Sequence, residues 1–245
     1  MKKIVCFYWQ GDRWQETTSQ TQDTSFDRHV KRVGLVSKEL AARYVNNLYN
    51  GVRRWTKEPF DFICFTNEDL VLNKEIEIRP FPLITTKGVL PRMYMFSEAA
   101  GLFGHQVLSL DIDLIITGSL DDLLKYEGVF CTRMSWTRGE QHLIDGDIMS
   151  FKAGKETEAM FWTPLVKDIK AVEKISGGGR ERMWMRYIIG NKADTWQQLI
   201  PGQVCSYKHH FVPTGKIPYG ARIISCHGFP RPHQIMDKWR TEFWK

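Results

Sequence analysis

Val107-Leu108-Ser109-Leu110-Asp111-Ile112-Asp113-Leu114-Ile115-Ile116-Thr117, VLSLDIDLIIT, is the stretch on which the fold turns. It is dense in aliphatic and β-branched residues and is the strongest strand signal of the chain. Side chains alternate along a strand, so Ser109, Asp111 and Asp113 are expected on one side and Leu108, Leu110 and Ile112 on the other. Two carboxylates held close in so apolar a run repel each other and lose hydration unless a cation or a hydrogen-bond network offsets the cost. A divalent metal with a diphosphate on its far side would supply that offset. Acids capping a turn at a strand end are the plainer alternative.

On the N-terminal side, Ile4 to Trp9 reads as a first strand, and residues 15–27, rich in Thr, Ser and Gln, read as a loop over its end. Ser37 is placed to cap a helix in which Leu40, Ala41, Tyr44, Val45, Leu48 and Val52 recur at helical spacing up to Trp55. FDFICFT at 60–66 is expected to be the second strand. Pro91 suits the first turn of a helix running to about Gly101. Beyond the central stretch, Ser119 with Asp122 three residues on predicts a capped short helix. Further strands are expected at 129–134, 147–151 and 222–226, with helices near 156–171 and 181–189. Gly177-Gly178-Gly179 is either a hinge or a surface turn. Strands alternating with helices predict an α/β domain whose mostly parallel sheet is covered on both faces, with ligands beyond the carboxyl ends of its strands.

The chain has 245 residues, 42% of them hydrophobic, enough for one sizeable α/β domain. Its net charge of +6 favours an anionic partner without choosing between nucleotide, phosphorylated glycan, membrane surface and nucleic acid. Five cysteines lack any C-x-x-C pair, and Cys6, Cys64 and Cys226 lie inside strand-like runs, the pattern of reduced, buried thiols in a cytoplasmic protein. The apolar opening ends at Gln10-Gly11-Asp12-Arg13, too early for a secretion signal. No run approaches the roughly 20 apolar residues of a membrane span, which leaves peripheral membrane contact as the expected limit.

Pro91-Arg92-Met93-Tyr94-Met95-Phe96, then LSLDIDLIITGSLDDL at 108–123, then Cys226-His227-Gly228-Phe229-Pro230-Arg231-Pro232-His233, together resemble the glycogenin-like and bacterial galactosyltransferase-like glycosyltransferases, family 8 and its relatives, of the GT-A type. Those enzymes place an arginine-bearing helix before an LDxDxxxxGxxDDL segment and close with a His that completes a metal shell and a Lys-Pro that binds donor phosphate. The resemblance implies a GT-A fold: a Rossmann-like, mostly parallel central sheet with helices on both faces and a smaller acceptor-side portion. It implies one domain over 1–245, with about 1–125 the nucleotide-sugar half and about 126–245 the acceptor half carrying the C-terminal motif. It also implies a metal-dependent, retaining transfer of a hexose from a UDP-sugar to a hydroxyl acceptor.

Carried over by that resemblance, Asp111, Asp113 and His227 are metal ligands, and two carboxylates with one imidazole suit Mn²⁺ better than Mg²⁺. Arg231 takes the lysine's place on the diphosphate beside Gly228, and Arg92 matches the donor-contacting arginine; guanidinium groups grip phosphate in bidentate fashion. Tyr8, Trp9, Gln10 and Gly11 form the loop expected around the base, although alternation makes one of the two aromatics core. Asp145 falls where the family has a donor-contacting Asn. Glu181-Arg182 stand where relatives carry an Asp-Gln pair beside the anomeric carbon, a departure bearing on sugar preference or catalytic competence. Lys208, in Ser206-Tyr207-Lys208, is a donor or acceptor contact. The family scheme is front-side attack, in which metal, Arg92 and Arg231 stabilise the leaving diphosphate without a strong protein base.

A glycan is the expected acceptor. Basic and aromatic residues interleaved at 53–55, 180–187 and 238–245 raise a nucleic-acid acceptor beside it. Two other classes compete with the transferase: a metal-dependent phosphoester hydrolase or nuclease, which would need a denser carboxylate set for two metals, and a nucleotide-sugar-binding protein without turnover.

Overall fold

The computed structural model describes residues 2–9, 37–84, 88–190 and 192–245. Gln10, Gly11 and the loop expected at 15–27 lie outside the described residues. β1 (Lys2–Tyr8) and β2 (Phe60–Thr66) form where the sequence predicts, joined through α1 (Lys38–Trp55), which Ser37 caps by accepting the Leu40 N–H at 3.2 Å. β3 (Ile76–Arg79) follows, then β4 (Gln106–Leu110). With β6 (Phe130–Met134), β7 (Ile144–Lys152) and β8 (Asp194–Thr195) they build a seven-stranded sheet in the order β3-β2-β1-β4-β7-β6-β8. β3 to β4 run parallel, β7 is antiparallel to both its neighbours, and β6 and β8 are parallel. This is the mostly parallel sheet expected.

Alternation in the strands divides the core. Ile4, Cys6, Phe62, Cys64, Leu108, Leu110 and Ile148 meet α1 on one face. Val5, Phe7, Ile63, Phe65, Val107, Met149 and Phe151 meet a 3₁₀ stretch (Leu90–Phe96) and the helix at 181–189 on the other. All five cysteines are buried free thiols.

The central stretch itself departs from expectation. It is two strands: after Leu110 the chain turns through Asp111-Ile112-Asp113, and β5 (Leu114–Ile116) joins a separate sheet in the order β5-β10-β9 with β9 (Val204–Ser206) and β10 (Ile223–Ser225). The alternation that would put both carboxylates on one side therefore fails, because it holds only while the strand continues. The turn leaves Asp111 at the carboxyl end of β4 and Asp113 at the start of the small sheet, where the Cys226 N–H reaches the Asp113 carbonyl at 3.4 Å.

Other boundaries shift for local reasons. The helix expected from Pro91 is 3₁₀ throughout, closed at Ser97 and followed by a second short 3₁₀ turn. The helix expected at 156–171 is broken into α3 (Lys155–Thr157), a π-helical turn (Glu158–Trp162), α4 (Thr163–Lys167) and α5 (Ile169–Ile175), with Pro164 opening α4 and Asp168 capping α5. Ser119 sits one residue outside the cap of α2 (Asp121–Leu124), where its Oγ accepts the Asp121 N–H. Helix α6 (Glu181–Ile189) stands where predicted, and α7 (Trp196–Leu199) and α8 (Lys238–Phe243) complete the chain. Gly177 to Gly179 form a turn with φ of 61°, 89° and 92°, pinned where the Val89 N–H donates to the Gly179 carbonyl.

Candidate functional site

The order β3-β2-β1-β4 reverses direction between β1 and β4: the chain leaves β1 toward one edge and returns on the other side. Such a switch point opens a crevice at the strands' carboxyl ends. Trp9 follows β1 there and Asp111 follows β4. Because β7 is antiparallel to β4, with Leu110 opposite Ile148, its first residues Asp145, Gly146 and Asp147 come to the same end. β6 adds Arg133 opposite Asp145.

Two buried arginines organise these acids. Arg92, 5% exposed on its 3₁₀ stretch, places Nη1 2.6 Å from Asp111 Oδ1 and 3.2 Å from Glu181 Oε1, and its Nη2 donates to Ser109 Oγ at 3.2 Å. Arg133, 2% exposed, donates from Nε to Asp147, lies 3.3 Å through Nη2 from Asp145 Oδ2, and stacks its guanidinium 3.8 Å over the Trp136 ring. Asp147 also accepts from Ser225 Oγ at 2.7 Å. Arg182 reaches Asp145 at 3.8 Å from the exposed side of α6. Arg231 and Asp113 form a further ion pair.

The electrostatics follow from this crowding. Burial pushes the Asp111 carboxyl up to about 7; Arg92 opposes the rise, while Asp147 and Glu181 add to it. The Asp111 side chain still has 35% of its surface open, and water at that face opposes part of the rise. Asp147 moves the other way: burial pushes it up, but the charge and hydrogen bond of Arg133 and the Ser225 hydroxyl hold it below the usual carboxylate range. His227 is brought down to about 4 by burial and by Arg133, against the pull of Asp147. Lys208 is lowered by burial.

The sequence-predicted residues thus fall into three groups. Arg92, Asp111 and Glu181 share one network; Asp145 and Arg182 join Arg133 and Asp147 in a second; Asp113 and Arg231 pair with each other. His227 and Lys208 stand beside them on the small-sheet side. His227 Nε2 lies 2.9 Å from Ser206 Oγ, its ring stacks on Trp136 at 5.4 Å, and Lys208 abuts Gly228. Of the expected base-binding aromatics, Tyr8 is buried against Ala41, Ala42 and Leu70, whereas Trp9 is half-buried, edge-on to Phe81 at 5.7 Å.

As placed, these side chains do not form the expected metal shell. Asp111 is taken by Arg92, Asp113 by Arg231, and His227 Nε2 by Ser206; among the described residues no group of three or more His, Cys, Asp or Glu side chains gathers as a metal centre.

Arg133, Asp147, Trp136 and Ser225 escaped the sequence reading. A signal existed: Asp145-Gly146-Asp147 is itself an alternating acid pair, and Arg133 is a charge inside the buried run FCTRM, which demands a buried counter-charge. The basic-aromatic clusters, by contrast, are only partly available for stacking: Trp184 and Trp244 are buried and Trp239 packs on Phe211, whereas Trp55, stacked on Phe243, and Tyr187 are exposed. No helix among the described residues is long and apolar enough to cross a membrane.

No protein-family model and no curated protein matches the chain. Solved structures do. The glycosyltransferase GlyE of Streptococcus pneumoniae TIGR4 aligns with TM-score 0.62 and 13% identity over 100% of this chain and 60% of that one. The galactosyltransferase LgtC, solved with donor and acceptor sugar analogues, aligns with TM-score 0.58 and 10% identity over 94% of this chain and 88% of that one. Mouse xyloside xylosyltransferase 1 aligns at 0.51 and 7% over 92% and 97%. This chain therefore has the GT-A glycosyltransferase fold, and it spans 60% of the length of GlyE.

Proposed function

We propose that the chain is a glycosyltransferase that moves a hexose from a UDP-sugar to a hydroxyl of a glycan acceptor, with retention of configuration. The observation that carries this reading is the arginine-carboxylate cluster at the switch point between β1 and β4, in a fold shared with glycosyltransferases. Bond cleavage at the anomeric carbon sends negative charge onto the departing diphosphate. Buried cations set in place beforehand stabilise that charge without reorganising, which is where electrostatic catalysis is strongest. Arg92 is such a cation: three acceptors hold its guanidinium, and Asp111 and Glu181 keep it charged despite burial. Trp9 offers a partly open ring near the base position, and Asp145 an acceptor for sugar hydroxyls. Burial of Trp184 and Trp244, which removes two indoles of the basic-aromatic clusters from stacking on bases, favours a glycan over a nucleic-acid acceptor.

Manganese enters this proposal on one condition. For Asp111, Asp113 and His227 to share an ion, the Asp113–Arg231 pair must open and His227 must turn from Ser206. No step above depends on it.

The test is UDP release and mass spectrometry of glycan acceptors incubated with a panel of UDP-sugars, for the native chain and for Arg92→Ala, in chelator and in added manganese. Turnover should appear with one or more donors and fall about 100-fold or more in Arg92→Ala, the scale seen when one transition-state donor is removed. Nucleotide-sugar binding without turnover under every condition would replace the transferase by a binding protein. Stimulation by manganese that disappears in Asp113→Ala would show that the pair opens.

A further inference from the structure

Every acid of the cluster already has a cation. Asp111 has Arg92, Asp113 has Arg231, and Asp145 and Asp147 share Arg133, with Arg182 also at Asp145. An incoming diphosphate meets Arg92 or Arg231 only in competition with a carboxylate already in place. Among the described residues, Lys208 is the cation of this cluster with neither a hydrogen bond nor an ion pair. It is half-buried, on the π-helical turn Tyr207–Phe211. That turn is anchored by Ser206, whose Oγ accepts the His209 N–H at 3.3 Å and bonds His227 at 2.9 Å. The side chain runs back over Gly228, which sits at φ +73°; a Cβ there would lie 2.8 Å from Nζ. Glycine therefore leaves the ammonium room to lie against the backbone of the C-terminal motif, next to His227.

We propose that Lys208, rather than Arg231, is the primary contact for a phosphate group in this site, with Arg231 serving as the fixed partner of Asp113. A half-buried ammonium without a counter-ion is poorly solvated, and a phosphate oxygen restores both hydrogen bonds and charge balance. Arg231 would first have to surrender a carboxylate. This assignment rests on the nucleotide-sugar reading for the identity of the ligand, but the phosphate contact stands apart from the base and the sugar.

Calorimetric titration of UDP, uridine and inorganic pyrophosphate into the native chain, Lys208→Ala and Lys208→Arg, all in chelator, tests it. Lys208→Ala should weaken UDP and pyrophosphate about tenfold or more, the loss of one charge-assisted hydrogen bond. Uridine affinity should not change, and Lys208→Arg should recover most of the loss. Equal pyrophosphate and UDP affinity in Lys208→Ala and the native chain overturns the assignment while leaving the UDP-sugar reading intact. Pyrophosphate binding that depends on Lys208 while UDP fails to bind upholds the phosphate site and removes the nucleotide. No binding of either by the native chain removes both.

Discussion

Asp147 shows how one residue's burial sets both its charge and its worth. Its carboxylate is almost wholly enclosed, at 8% side-chain exposure, and answers the still more deeply buried Arg133. Removing one partner of such a pair strands the other, at about 3–5 kcal/mol, far above the value of a surface pair. Asp147→Asn should therefore lower stability by about that amount at neutral pH. The pH dependence follows from the depressed pKa. The unfolded carboxyl titrates near 3.8 and the folded one lower, so the stabilisation is fully present well above 3.8 and is lost as pH falls through the folded value. Denaturant melts at pH 7 and at successively lower pH should show the gap between native chain and variant narrowing only below about pH 4. A gap of constant size across that range would mean that the ion pair is not its source. Of the site residues, Asp111 and Asp113 were legible from their own alternating pattern, whereas Arg92, Asp145 and Glu181 were reached only through the family resemblance; all five lie at or beside the crevice. Arg133 was reached by neither route: its place inside FCTRM asks for a counter-charge, but that partner, Asp147, lies on another strand of the sheet.

Elements were legible where periodicity is long and obscure where it is short. α1, with an amphipathic stripe over its whole length, and β2, seven residues of apolar and aromatic character, match their expected bounds. β3, β8 and β9, of two to four residues, carry too little pattern to be seen. The break at Asp111 was hidden because an uninterrupted β-prone composition says nothing about which sheet each half joins. α1 also carries a position that propensity alone would misjudge. Gly51 is buried in its last turns, and a Cβ there would come within 2.9 Å of Ile116 Cβ on β5. On an exposed helix face Gly→Ala gains about 1 kcal/mol. Here the added methyl meets a β-branched side chain in a packed core, where forced overpacking costs about 1–3 kcal/mol. Gly51→Ala should thus melt lower, by about 2–4 °C for a net loss near 1 kcal/mol in a chain of this size. A higher melting temperature would show that helix and small sheet can separate without penalty.

At the scale of the whole molecule the site joins distant parts of the chain. β1, β4 and β7 supply the large-sheet side, while His227, Gly228 and Arg231 come from the segment after β10, and what fastens that segment is a contact back to α1. Tyr44 OH lies 2.6 Å from His233 Nδ1, and its ring meets Trp244 edge-on at 5.2 Å, with Arg43 over the indole at 4.8 Å. Trp244 is 2% exposed and plugs the small-sheet core. Trp244→Ala removes a buried aromatic, typically about 3–5 kcal/mol. The melting temperature should fall by about 6–20 °C. Trp244→Phe should lose less, because the buried indole N–H has no hydrogen-bond partner among the described residues and its removal relieves a desolvation cost of about 1–3 kcal/mol. Since the same segment carries Arg231 and Gly228, loosening it should also weaken UDP binding, measured well below the melting transition where both variants are folded. Lower stability in Trp244→Ala with native UDP affinity would mean that the plug holds the small sheet together but does not position the arm of the site that follows β10.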